Sequence, residues 1–220
     1  MADSFEEIAL QQSIVRRQWL PLDVAVREVI AFEKLFGTGH FLLACHAALP
    51  SLLTPELLHA IRINFLDQQK PRIPWIAEMD LLLSPLCRPV EKDVFEVEPM
   101  VHEALLFKLE ERYGWQQLQN VADFLWQYVQ KNHTSKQNAG VTQLHEWIAQ
   151  AYLQPDKVVQ ELTDLLDESV DTQRSDYETL PKKLRVARSM ELLADPLRHT
   201  GLQEEYEGLV HSARVLGYTL

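Results

Sequence analysis

The chain has 220 residues, of which 46% are hydrophobic and 24% charged, with only seven glycines. That is enough apolar material for one large or two small domains, and too little glycine for a turn-rich β-sandwich or for phosphate-cradling loops. The formal net charge of -11 makes the surface self-repelling and works against binding to nucleic acid or anionic membranes, although a local basic face could override the total.

The N-terminus, MADSFEE, lacks a basic segment followed by an apolar one, so no secretory signal is expected. A short helix is expected over Phe5–Trp19, broken by Pro21. Asp23 is the candidate N-cap of a helix over Val24–Phe36, whose Val26, Val29, Ile30 and Phe32 fit one broad apolar face. Gly37-Thr38-Gly39 ends it. Residues 40–49, HFLLACHAAL, are almost wholly apolar and read as a helix buried in the core. They are far short of the ~20 apolar residues that span a membrane. Thr54 as N-cap and Pro55 at the first helical position start a helix over Pro55–Leu66.

Residues 73–106 follow the order helix, hairpin, helix. An apolar helix is expected over Trp75–Leu86, with Met79, Leu82, Leu83 and Leu86 as its packing stripe. Two β-type runs, Cys87–Val90 and Val94–Val97, flank the charged tip Glu91-Lys92-Asp93. Pro89 suits an edge strand, where a missing N–H costs nothing. Helices over Glu98–Arg112 and Trp115–Val129 follow, separated by Gly114.

Lys131–Gly140 is polar and aperiodic, and is the expected linker between domains at 1–130 and 141–220. Beyond it, short helical units over Thr142–Leu153, Pro155–Glu168, Leu180–Leu193 and Leu202–Leu216 resemble a helical-hairpin, solenoid-like array. Asp167–Asp176 reads as loose and exposed. The expected fold is therefore mainly α, a winged-helix-like first half with a short β-hairpin followed by a helical second half.

A winged helix reads DNA through the helix before the wing, which needs Arg, Lys, Asn or Gln on its open face. Here that helix offers Trp75, Glu78, Asp80 and Ser84. Across 73–98 two cations, Arg88 and Lys92, stand against six acids, a net of -4. This predicts a packing or protein-binding role rather than base reading.

Signatures of catalysis are sparse. No phosphate-loop or dinucleotide motif occurs, and His102-Glu103 lacks the second histidine of a zinc-protease helix. His40 and His46 lie six apart, off a common helical face. Cys45 and Cys87 sit in apolar surroundings at a spacing that fits no zinc site. They read as buried thiols of a reducing compartment, so a cytoplasmic location is expected. No cofactor and no enzymatic activity are expected. Two features are candidate partner-binding sites: Trp75, beside Pro74, and the basic run of Lys182, Lys183, Arg185 and Arg188. With Glu178 and Glu191 nearby, that run reads either as a solvated face or as a docking strip for an acidic partner or RNA.

The strings FLLACHAALPSLLTPELLHAIRINFLD and IPWIAEMDLLLSPLCRPVEKDVFEVEPMVHEALL resemble a helical and winged-helix accessory module of multidomain bacterial, cyanobacterial-type, signalling and defence proteins. The module is similar to the winged-helix region of signal-transduction ATPases. The likeness covers about residues 19–130. Its sharpest pieces are His46–Pro50, the Ala77–Leu86 helix with Cys87, and Phe95–Val97. It implies a non-catalytic adaptor or regulator that contacts another protein, such as a caspase-like or CHAT protease, a sigma factor or a signalling ATPase. One form of that role is a protease-controlled substrate or inhibitor of a partner protease. The other reading is a transcriptional regulator that binds DNA through a surface other than the acidic wing.

Overall fold

A computed structural model describes residues 20–67, 72–132, 139–171, 193, 196, 197 and 199–215. The architecture is mainly helical, with a small three-stranded antiparallel sheet. In chain order the elements are α1 (Leu22–Phe36), α2 (Thr38–Ala48), β1 (Leu52–Leu53), α3 (Pro55–Leu66), α4 (Ile76–Leu82), β2 (Cys87–Glu91), β3 (Val94–Val97), α5 (Pro99–Tyr113), α6 (Trp115–Asn132), α7 (Ala139–Leu153), α8 (Pro155–Asp171) and α9 (Gln203–Val215).

The apolar run over 41–49 forms the centre of the core. Every residue of α2 from Phe41 to Ala48 is buried, because α1, α3, α4 and α5 all pack on it. A helix surrounded on all sides carries no polar face, which is what its unbroken apolar sequence encodes. The start of α3 also follows from local chemistry. Thr54 Oγ1 accepts from the Leu57 amide at 3.2 Å, and Pro55 occupies the first turn, where its missing N–H is harmless. By contrast, Asp23 does not cap α1. The helix begins one residue earlier, with Pro21 at the cap position. Asp23 lies in the first turn and pairs with Arg27.

β3 is the central strand, with the sheet order β1-β3-β2. β1 lies within Ser51–Pro55, a stretch that reads as a turn in the sequence; Leu52 pairs with Glu96 and Leu53 with Phe95. Pro89 lies on the edge strand β2, opposite Phe95, and the register shifts between Pro89 and Glu91 before the ladder closes with Glu91 opposite Val94. Asp93 takes a left-handed conformation, φ 58°, in the hairpin turn, which Asp tolerates better than most residues.

At the start of α5, Glu98 joins two distant segments. Its Oε2 accepts from the Val101 amide and its Oε1 from the Leu20 amide, each at 3.0 Å. One carboxylate thus caps α5 and anchors the entry to α1. Gly114, φ 77°, allows the chain to leave α5 and start α6 at once.

α4 departs from expectation in length and in face. It stops at Leu82 rather than Leu86, and Ala77, Leu81 and Leu82 form its buried side. Leu86 is buried too, but from the turn that follows. Met79 and Leu83, expected in the packing stripe, are exposed. In IAEMDLLL, apolar residues lie all around the helix, so periodicity alone fits two opposite stripes.

The junction expected at 131–140 lies partly outside the described residues: α6 runs to Asn132 and α7 begins at Ala139. α7 packs along α6. Its His145 Nε2 donates to the Leu52 carbonyl at 2.8 Å, 93 residues away in sequence, and its Leu144, Trp147 and Ile148 share the core of the first half. α8 continues the helical course through Asp171, so Asp167–Asp171, expected to be loose, is helical. α9 packs on α8. No helix among the described residues is long and apolar enough to cross a membrane.

Candidate partner-binding face

α4 is seven residues long and lies against both α2 and α3. Its two acids point sideways into those neighbours. Asp80 accepts from His40 Nε2 on α2 at 3.1 Å. Glu78 accepts from Arg62 Nε and from His59 Nδ1 on α3, the latter at 2.9 Å. Arg62 is buried and also donates through Nη1 to the Ile73 carbonyl at 3.3 Å. A buried guanidinium must find acceptors, and Glu78 supplies the charged one. α4 is therefore held by a polar pair on each flank.

Its outer face is left apolar. Trp75 is 67% exposed, Ile76 42%, Met79 37% and Leu83 73%. Trp75, Met79 and Leu83 repeat every four residues, so they stand in one row, with Ile76 beside it. Ile63 on α3, also exposed, lies one turn beyond His59, the residue that meets Glu78.

Counted from sequence, residues 73–98 carry six acids. In the structure, Glu78 and Asp80 are paired as above. Glu96 is buried and accepts from Arg88 Nε and Nη2 at 2.9 and 2.7 Å, directly across the β2–β3 ladder. Glu98 is the α5 cap. Only Glu91 and Asp93, with Lys92 between them, stand open at the hairpin tip. The open face of α4 offers hydrocarbon rather than the hydrogen-bonding groups that base edges require.

The candidate nucleophiles and bases are sealed in the core. Burial pushes the Cys45 and Cys87 thiols up to about 12, which leaves almost no thiolate near neutrality. Burial lowers His46 despite its bond to the Leu42 carbonyl. That carbonyl can only accept, so Nδ1 of His46 carries the proton and Nε2 accepts from the Gln117 side-chain amide at 3.0 Å. His102 and His145 are driven down to about 4 by burial, in His145 against the opposing pull of its Leu52 bond. Each is a neutral core residue. Among the described residues no group of three or more His, Cys, Asp or Glu could hold a metal ion.

Of the residues singled out in the sequence, Trp75 lies at the start of the α4 face. Lys182, Lys183, Arg185 and Arg188 lie outside the described residues. Sequence reasoning missed Ile76, Met79 and Leu83 as surface residues. The only local signal for them was the excess of apolar residues over what a two-turn helix can bury on one side. Comparison with protein-family models, with curated proteins and with solved structures finds no match.

Proposed function

We propose that this chain is a non-enzymatic protein-interaction module that docks through the outer face of α4. The observation that carries this is the division of labour on α4: both acids turn inward to Arg62, His59 and His40, while Trp75, Ile76, Met79 and Leu83 face solvent. A contiguous apolar surface rimmed by paired polar groups is the usual form of a protein-binding site. Trp and Met are favoured anchors in such sites.

The order helix, strand, helix, helix, strand, strand over residues 38–97, with β3 central, supports reading this stretch as a winged helix. Its α4 would then stand where a DNA-reading relative places its recognition helix. The resemblance to accessory modules of bacterial signalling and defence proteins supports the role of adaptor or regulator beside a catalytic partner. The buried, neutral histidines and high-pKa thiols agree with a role that needs no chemistry from this chain.

A photo-crosslinking amino acid placed at Met79 in host cells tests the reading. A ultraviolet-dependent adduct of protein mass is expected. Absence of any protein adduct, with nucleic acid linked instead, overturns it in favour of a DNA-binding regulator.

A further inference from the structure

α1 carries more apolar surface than its packing uses. Ala25, Val29 and Phe32 are buried on the side that meets α2 and α5, whereas Leu22, Val26 and Ile30 repeat every four residues in a second row that is exposed. Val26 and Ile30 thus leave the broad inward face expected of this helix. The helix expected over Phe5–Trp19 lies outside the described residues. We propose that residues 5–19 of the same chain cover the row, as a helix antiparallel to α1 that turns into it at Leu20–Pro21.

The point of entry selects this occupant. Glu98 Oε1 holds the Leu20 amide and Pro21 occupies the cap position of α1, so the segment before them is anchored within one turn of Leu22. Pro21 disfavours helical backbone at Leu20, which ends a preceding helix there and leaves the two-residue turn of a helical hairpin. A segment tethered so closely competes for the row at an effective concentration on the order of millimolar, ahead of an untethered protein.

Length, spacing and charge order fit the same arrangement. Residues 5–19 and α1 are both 15 residues long, about 22 Å at 1.5 Å per residue. Phe5, Ile8, Val15 and Trp19 fall on one side of such a helix, with Gln12 between them; Leu10 and Ile14 fall on the other side and are not used. The antiparallel register sets Trp19 beside Leu22, Val15 beside Val26 and Gln12 beside Ile30. It also brings Arg16 and Arg17 to the exposed Asp23 at the start of α1, and Glu6 and Glu7 to the exposed Lys34 near its end. Opposite signs meet at both ends, an order that an apolar partner of any other origin has no reason to carry.

Hydrogen exchange of the full chain reads the contact. Amides of residues 8–18 are expected to exchange about tenfold or more slowly than in an unstructured peptide of that sequence. Val26→Asp abolishes that protection and leaves the amides of the buried α2 unchanged, since Val26 is exposed. Leu83→Asp, on α4, leaves the protection in place, which separates this contact from the docking reading of α4. Glu7→Lys lowers it about threefold, and Lys34→Glu in the same chain restores it. Cross-linking fixes the register. With Cys45 and Cys87 buried, Gln12→Cys links under mild oxidation to Ile30→Cys faster than to Leu22→Cys. A segment that is only tethered gives the reverse order, because Leu22 lies nearer the attachment.

Exchange at residues 8–18 as fast as in an unstructured peptide overturns the proposal. So does protection that ignores Val26→Asp, or a faster link to Leu22→Cys. A loss in Glu7→Lys that Lys34→Glu fails to restore overturns the antiparallel register. Protection that rises with protein concentration assigns the row to the same segment of a neighbouring copy, and overturns the tethered arrangement.

Discussion

Arg62 on α3 donates to Glu78 on α4 across 16 residues of sequence, with both side chains largely withdrawn from water. This pair fixes which way α4 turns: with Glu78 drawn to α3 and Asp80 to His40 on α2, the apolar row can only face out. Glu78→Ala removes the charged acceptor of a buried guanidinium, which keeps its bond to the Ile73 carbonyl. The expected cost is about 3 kcal/mol, read from chemical denaturation. A loss under about 1 kcal/mol would show that the pair does not hold the helix.

The two leucines at the end of α4 separate its faces. Leu82→Ala removes a fully buried side chain and should cost roughly 2–5 kcal/mol. Leu83→Ala, at an exposed neighbour, should stay within about 0.5 kcal/mol. Equal effects at the two positions would mean that the helix is rotated from the orientation described.

Glu98 joins the start of α1 to the start of α5 through two amide bonds. Glu98→Ala removes both acceptors, at an expected cost of about 1–2 kcal/mol. Hydrogen exchange should quicken at Leu20 and Val101 together. Faster exchange at only one of them would separate the cap from the anchor.

Stability should fall as the solution is acidified through the histidine range. His102 and His145 take up protons near 6.5 in the unfolded chain but only near 4 in the folded one. Between those values the unfolded chain binds more protons, so stability drops with falling pH, by roughly 3 kcal/mol apiece by pH 4. Above about pH 7 these two residues add no pH dependence. Denaturation midpoints between pH 7 and 5 read the slope before most carboxylates titrate, and His102→Gln should flatten it. A midpoint that is constant over that range would place both rings in contact with solvent.

Much of the frame was legible. The unbroken apolar run of α2, the Thr54–Pro55 start of α3, Gly114 between α5 and α6, and the hairpin around Glu91–Asp93 are all set by neighbours within a few residues. The candidate face was not. Which side of α4 is buried depends on Arg62 and His40, 16 and 40 residues from their partners, and no local pattern contains that choice. β1 is two residues long, too short for alternation to show, and exists because β3 offers it an edge. Glu96 reads as a surface acid until its partner Arg88 is placed across the ladder.

We propose that the α4 row serves binding rather than folding. The most direct test joins two readings on one protein: Leu83→Asp in a chain carrying the photo-crosslinker at position 79. A melting temperature within about 2 °C of the parent is expected, because Leu83 packs on little, together with loss of the protein adduct. An adduct that survives the charge, or a melting temperature that collapses with it, would contradict the claim.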